Sequence, residues 1–231
     1  SGASLINRAS GVIKFRTAAK VTGTTGIEFT STAGGSYTIG RWLSSMAHNT
    51  HAFRGVFKLL ATPSADLRIG YIRQSGSDSA AAAFVVNSSL SLSIYDSVNT
   101  PLSGAVATLA LNTWYDLSLL LVGGSTTAGQ ITAKLYNHNT GAQVGSTRTT
   151  STANMTANPI NGFELGIVSS NAATTVYWDD PQIAAGRTTE IPTITSGATP
   201  VRHVYTSGAW QGAYRHVYTG GAWVAVDPVV L

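Results

Sequence analysis

The sequence predicts an all-β protein in which two antiparallel sheets pack face to face. Three observations carry that expectation. Apolar and polar residues alternate with period two through residue 185, and no stretch keeps the helical period. The composition agrees: 30 Thr, 25 Ser and 24 Gly stand against three Glu, so strand and turn formers dominate while a common helix former is almost missing. Short Gly-, Ser- and Asn-rich clusters interrupt the alternation, among them Gly34-Gly35, Gly123-Gly124-Ser125 and Asn137 to Gly141.

Taken in order, the alternation predicts strands over Val12–Thr17, Ser36–Trp42, His51–Leu60, Leu67–Arg73, Leu90–Ile94, Trp114–Val122, Ile131–Leu135, Phe163–Val168 and Thr174–Ile183. Leu90-Ser91-Leu92-Ser93-Ile94 is the cleanest case, and Ile131-Thr132-Ala133-Lys134-Leu135 repeats it, each with one apolar side. The apolar stretch Ala80–Val86 fits a helical turn or a strand; its run into Asn87-Ser88-Ser89 and the next strand favours the strand. So many strands with short turns predict a two-sheet sandwich of the jelly-roll kind.

The composition changes after Ala184. Residues 186–200 carry Pro192, Pro200 and several Thr without an apolar run, the pattern of an extended linker, so the sandwich is expected over residues 1–185. Residues 201–231 hold an internal repeat. Arg202-His203-Val204-Tyr205-Thr206-Ser207-Gly208-Ala209-Trp210 returns as Arg215-His216-Val217-Tyr218-Thr219-Gly220-Gly221-Ala222-Trp223. Each copy reads as a β-hairpin, and two copies predict a small four-stranded meander that docks on a larger body.

Charge and composition exclude several classes. Lys+Arg 14 against Asp+Glu 10 gives +4, but the basic residues are scattered singly, which argues against a nucleic-acid partner. The absence of Cys removes disulfides, thiolate metal sites and a thiol nucleophile. No apolar run reaches the length of a membrane span, and Ser1-Gly2-Ala3-Ser4 lacks the regions of a signal peptide, so a soluble chain without a membrane partner is expected.

Further residues point to a family. His51-Ala52-Phe53-Arg54-Gly55-Val56-Phe57-Lys58, Leu67 to Tyr71, Asn112-Thr113-Trp114-Tyr115-Asp116-Leu117, Gly129 to Tyr136 and Val176-Tyr177-Trp178-Asp179-Asp180-Pro181-Gln182-Ile183 follow one another in an order that resembles the concanavalin A-like, laminin-G-like jelly roll. The C-terminal copies resemble the short Trp hairpins of bacteriophage minor tail and virion proteins. That resemblance implies a virion component binding other subunits or a cell-surface glycan.

Sandwich glycosidases of this kind resemble one another in a strand carrying alternating Glu and Asp, which places acid and nucleophile on one face. The three Glu residues here, Glu28, Glu164 and Glu190, have no Asp two positions on, so no enzyme is expected. Asp179 and Asp180 are adjacent; the lectin-like resemblance implies a calcium site there, whereas their own setting reads as strand-end carboxylates bonding turn amides. Strand neighbours point to opposite faces, so both can meet one ligand only if a bulge or Pro181 redirects one of them. His48 and His51 read as a surface pair, and His203 and His216 as duplicated structural positions. Trp42, Trp114 and Trp178 are expected in the sandwich core or over its edge.

The matched aromatics Tyr205, Trp210, Tyr218 and Trp223 form the expected ligand or assembly surface, unless they fill the meander's own core. Together these readings predict a non-enzymatic phage virion protein in a minor tail, decoration or host-attachment role. It is expected in the particle as a homo-oligomer, with a trimer as first guess, among other virion subunits. The alternative is a secreted bacterial carbohydrate-binding module without a cofactor, apart from calcium at Asp179 and Asp180.

Overall fold

The computed structural model describes residues 2–8, 11–21, 25–32, 37–43, 48–74, 80–102, 104–123, 129–155, 160–169, 173–192, 204–206, 209–211, 215–219 and 222–226. The chain divides into two compact units, Ser1–Thr193 and Ile194–Leu231.

Among the described residues the first unit holds fourteen strands: β1 (Gly2–Arg8), β2 (Val12–Arg16), β3 (Gly26–Thr32), β4 (Tyr37–Leu43), β5 (Thr50–Leu59), β6 (Leu67–Gln74), β7 (Ala80–Val86), β8 (Ser91–Asp96), β9 (Ala107–Thr108), β10 (Trp114–Val122), β11 (Gly129–Asn137), β12 (Gln143–Ala153), β13 (Ile160–Ser169) and β14 (Ala173–Ala185). They form two seven-stranded antiparallel sheets, in the orders β1-β4-β13-β6-β7-β8-β9 and β12-β11-β10-β5-β14-β3-β2. This is the two-sheet jelly-roll sandwich that the alternation predicts. Ala80–Val86 is a strand, fixed by its pairing with both β6 and β8.

Four strands escaped the sequence reading. β12 is polar along nearly its whole length, β9 has two residues, β1 lacks alternation, and β3 places only Ile27 and Phe29 on its apolar side. Pairing with neighbouring strands stabilises these segments where their own pattern gives little signal.

The core lies between the sheets. Phe53 and Phe57 of β5, Tyr115 and Leu117 of β10, Phe84 of β7, Phe163 of β13 and Trp178 of β14 are buried in one cluster. Their rings interlock: Phe57 lies 5.2 Å and Phe84 6.4 Å from Trp178, and Phe53 packs edge-on to Phe163 at 5.6 Å. The Trp178 indole N–H donates to the Ile69 carbonyl of the opposite sheet at 3.1 Å, so its one polar atom is satisfied inside the core.

Two expectations about chain organisation change. Residues 186–192, expected to open a linker, belong to the sandwich unit. The Gly186 amide donates to Thr50 O at 2.8 Å, Ile191 is buried, and Glu190 meets three partners on β10 and β11. One buried side chain and an ion pair hold a stretch whose composition reads as open chain. In the second unit, β15 (Val204–Thr206) pairs with β16 (Ala209–Gln211), and β17 (Arg215–Thr219) with β18 (Ala222–Val226), as two separate two-stranded sheets. The expected four-stranded meander is not formed among the described residues.

Candidate functional site

Along the strands of the second sheet, side chains alternate between the core and the outer face. On β10, Tyr115, Leu117, Leu119 and Leu121 point inward, which sends Trp114, Asp116 and Ser118 outward. On β5, Phe53 and Phe57 point inward and Arg54 and Lys58 outward. The register then aligns these outward residues in rows across the sheet. Trp114 pairs with Lys58, Lys58 with Tyr177, Tyr177 with Glu28, and Glu28 with Lys14, one row across five strands. A second row runs Tyr136, Asp116, Val56 and Asp179, and a third Lys134, Ser118, Arg54 and Gln182.

The first row is an aromatic and ionic platform. Lys58 Nζ lies 4.5 Å from the Trp114 ring and 5.1 Å from the Tyr177 ring, and the two rings are 6.2 Å apart. The Lys58 ammonium is thus held by ring faces rather than by a carboxylate, and burial lowers its pKa. Glu28, further along the row, pairs with Arg16 Nε at 3.4 Å. Burial, then the Glu28 charge, raises the Tyr177 hydroxyl pKa, so it stays protonated.

The other two rows hold a buried polar cluster. Arg54, fully buried, donates from Nη2 to Asp116 Oδ1 at 2.5 Å, and His138 Nδ1 lies 2.9 Å from Asp116 Oδ2. Arg54 Nε and Nη1 have no hydrogen-bond partner among the described residues. Above this cluster, Ser118 Oγ and Tyr136 Oη each lie 3.2 Å from Glu190 Oε2, and Lys134 pairs with Glu190 Oε1. The hydrogen bond to Glu190 raises the Lys134 pKa; burial, then the Glu190 charge, raises that of Tyr136.

The residues singled out from sequence fall elsewhere or change role. Trp178 is in the core as expected, but Trp114 is half-exposed on the outer face, because alternation gives the inward position to Tyr115. The side chain of Trp42 lies outside the described residues. His48 is exposed, whereas His51 is fully buried with both ring nitrogens unbonded among the described residues, so the expected surface pair is not one: β5 already runs inward at residue 51. The three Glu residues are each ion-paired, Glu28 with Arg16, Glu190 with Lys134, and Glu164 on the first sheet with Arg41 and Arg73. Register places Tyr205 opposite Trp210 and Tyr218 opposite Trp223, while the side chains of these residues and of His203 and His216 lie outside the described residues.

At Asp179 and Asp180 the pairing of β14 with β5 slips between Asp179 and Gln182, and Asp180 has φ of 44°, a left-handed backbone that Asp tolerates better than most residues. The strand therefore bulges where Pro181 suggested a redirection. Asp179 Oδ2 accepts the Val21 amide at 2.7 Å, and both residues line a cavity of about 500 Å³ with Phe15, Ile27 and Trp178. Among the described residues no group of three or more His, Asp or Glu is placed to hold a metal ion. No helix among them is long and apolar enough to cross a membrane.

His138 gives no signal in the sequence, and Asp116 enters it only within the Trp114-Tyr115-Asp116-Leu117 strand, not as a site residue. They stand 22 residues apart in a turn and a strand, and only the β10–β11 register joins them.

No family model and no curated protein matches this chain. Solved structures do match its fold. An endo-β-1,4-glucuronan lyase from the fungus Trichoderma reesei superposes with a TM-score of 0.58 at 12% identity, covering 79% of this chain and 90% of that one. A marine alginate lyase from Aplysia kurodai gives 0.56 at 10% identity, over 75% and 87%. A cellulose-induced protein gives 0.56 at 16% identity, over 78% and 88%. The chain therefore has the jelly-roll fold of these carbohydrate-related proteins. The expectation of a non-enzymatic phage virion protein is corrected on this finding: two of these three fold neighbours are polysaccharide lyases, enzymes rather than virion components. The inference of no enzyme fails for a physical reason as well. A missing pair of carboxylates excludes one hydrolytic mechanism, but eliminative cleavage needs a base and a stabilised carbanion, not that pair.

Proposed function

We propose that the sandwich is a carbohydrate-active domain that holds a polysaccharide across the outer face of its second sheet. The observation that carries this reading is the Trp114–Lys58–Tyr177 row: two partly exposed rings on strands flanking β5, with an ammonium between them. Ring faces bury the C–H surfaces of sugars, and a lysine beside them takes a hydroxyl or carboxylate. The names of the fold neighbours, two of them lyases of acidic polysaccharides, support it. The cross-strand pairs Tyr205/Trp210 and Tyr218/Trp223 are proposed as an additional ligand or assembly surface in the hairpin unit.

Affinity electrophoresis of the full chain through gels containing glucuronan, alginate or soluble cellulose derivatives tests the reading. At least one polymer is expected to retard the protein, with retardation lost in Trp114→Ala and the melting temperature nearly unchanged. Equal migration in all gels, or retardation indifferent to Trp114, overturns it.

One observation favours catalysis on the same face. Lys134 and Tyr136 stand at alternate positions of β11, and His138 follows beyond the strand end, with Arg54 one row away. An ammonium and a guanidinium on one face can neutralise a uronate carboxylate, the His138 imidazole can take the proton beside it, and the Tyr136 hydroxyl can protonate the leaving glycosidic oxygen. Incubation with a polyuronate, followed by ultraviolet absorbance of the unsaturated product, tests this, and Tyr136→Phe is expected to abolish the signal.

A further inference from the structure

We infer that residues 186–192 form a strap whose Glu190 occupies a carboxylate-binding site on the polysaccharide face, so that an acidic glycan and the strap compete for one place. This rests on the reading of that face as polysaccharide-binding and adds which ligand group the site takes and what holds it closed.

Three groups from two adjacent strands converge on the Glu190 carboxylate: Lys134 Nζ and Tyr136 Oη from β11 and Ser118 Oγ from β10. Such a set of donors recognises a carboxylate whatever chain carries it. The charges agree. Lys134 and Arg54 are balanced on this face by Asp116 and Glu190; with Glu190 lifted, one positive charge is left uncompensated. A second, independent observation lies beneath. Arg54 is fully buried, sits in register beside Ser118, and keeps two nitrogens, Nε and Nη1, with no partner among the described residues, an arrangement that costs free energy unless an acceptor comes within reach.

The strap is built to move as a piece. Arg187 donates to the carbonyls of Thr189, at 2.9 Å, and Glu190, at 2.9 and 3.2 Å, so the turn that carries Glu190 is bonded to itself. It leaves β14 at Gly186, which has φ of 71°, a left-handed conformation that glycine adopts without strain and that makes a natural pivot. Apart from the Glu190 contacts, the buried side chain of Ile191 helps hold it down.

The test is isothermal titration calorimetry of the full chain with an oligogalacturonate hexamer, and with cellohexaose as the neutral control. Glu190→Gln keeps the strap's length and removes its charge. It is expected to tighten oligogalacturonate binding by about tenfold, the gain from freeing a site occupied roughly nine-tenths of the time, while cellohexaose binding stays the same. Ile191→Ser, which loosens the strap and leaves Glu190 in place, is expected to shift oligogalacturonate affinity in the same direction. It serves as the test should Glu190→Gln fail to fold. Adding Lys134→Met to Glu190→Gln is expected to cancel the gain. Unchanged or weaker oligogalacturonate binding in folded Glu190→Gln overturns the inference and makes Glu190 a structural link only. The two readings fail separately. Binding that depends on Trp114 but not on Glu190 sinks the strap alone, whereas binding indifferent to Trp114, or no binding by any variant, sinks the polysaccharide face and the strap with it.

Discussion

Gly55 leaves the space that the indole of Trp178 fills. A Cβ at residue 55 would stand 2.8 Å from Trp178 Cζ3 and 3.0 Å from Phe53 Cζ, closer than core atoms approach. The glycine on β5 and the tryptophan on β14 are therefore one packing unit, and the Trp178 bond to Ile69 fixes the ring so that it cannot yield. Gly55→Ala is expected to cost about 1–3 kcal/mol through overpacking, lowering the melting temperature by roughly 2–4 °C per kcal/mol. In a double-mutant cycle, Trp178→Phe is expected to cost less in the Gly55→Ala background than in the wild type. Strictly additive losses in thermal melts would show that the two residues do not share the space.

His51 makes the fold sensitive to acid. Burial, then the nearby His48, lowers its pKa from 6.5 to about 4. Between those values the unfolded chain takes up a proton that the folded chain refuses, so stability falls as pH drops below 6.5 and the loss levels off near 4. The full span is worth about 3 kcal/mol. Urea melts from pH 7 to pH 4 are expected to show this decline, and His51→Leu to flatten it. An identical slope in the variant would assign the decline to the carboxylates instead.

Asp116 is the hinge of the buried polar cluster, since it accepts from both Arg54 and His138. Asp116→Ala leaves a guanidinium buried without its counter-charge and is expected to cost about 3–5 kcal/mol. Replacing both partners, as Arg54→Met with Asp116→Leu, is expected to cost less than the single change, because no unpaired charge remains. Denaturant midpoints of the three proteins check the order, and a double variant weaker than the single one would contradict it.

Two truncations locate the end of the sandwich. A chain ending at Thr193 is expected to keep the full-length melting temperature, as the first compact unit is intact. One ending at Ala185 loses the burial of Ile191 and the Glu190 contacts and is expected to be weaker by about 2 kcal/mol. Equal melting of both would show that the strap adds nothing to stability.

Much of the architecture could be read from the chain because a strand with one wet face writes itself as alternation. Leu92 and Ile94 are buried between half-exposed neighbours as the pattern requires. The site could not be read in the same way. Trp114 and Tyr115 are both large aromatics, and only the phase of β10 against the core decides which ring faces water. The rows that gather Trp114, Lys58 and Tyr177, or Lys134, Ser118 and Arg54, join residues tens of positions apart, and strand order and register create them. From the sequence Glu190 reads as an isolated acid in a linker. Its partners on β10 and β11 lie 54 and more residues upstream, where no local pattern connects them.

The edges of the sheets bear on how the folded chain behaves in a crowded solution. The first sheet ends in β9, two residues long, and the second in β12, a largely Thr- and Ser-bearing strand whose pairing with β11 slips twice. A short edge and an irregular one both make poor templates for a strand from another molecule. Many proteins guard such edges with charge, but only 10% of this chain is charged. At these two edges protection against self-association is geometric, and it is therefore expected to persist in high salt, where repulsion between charged surfaces is screened away.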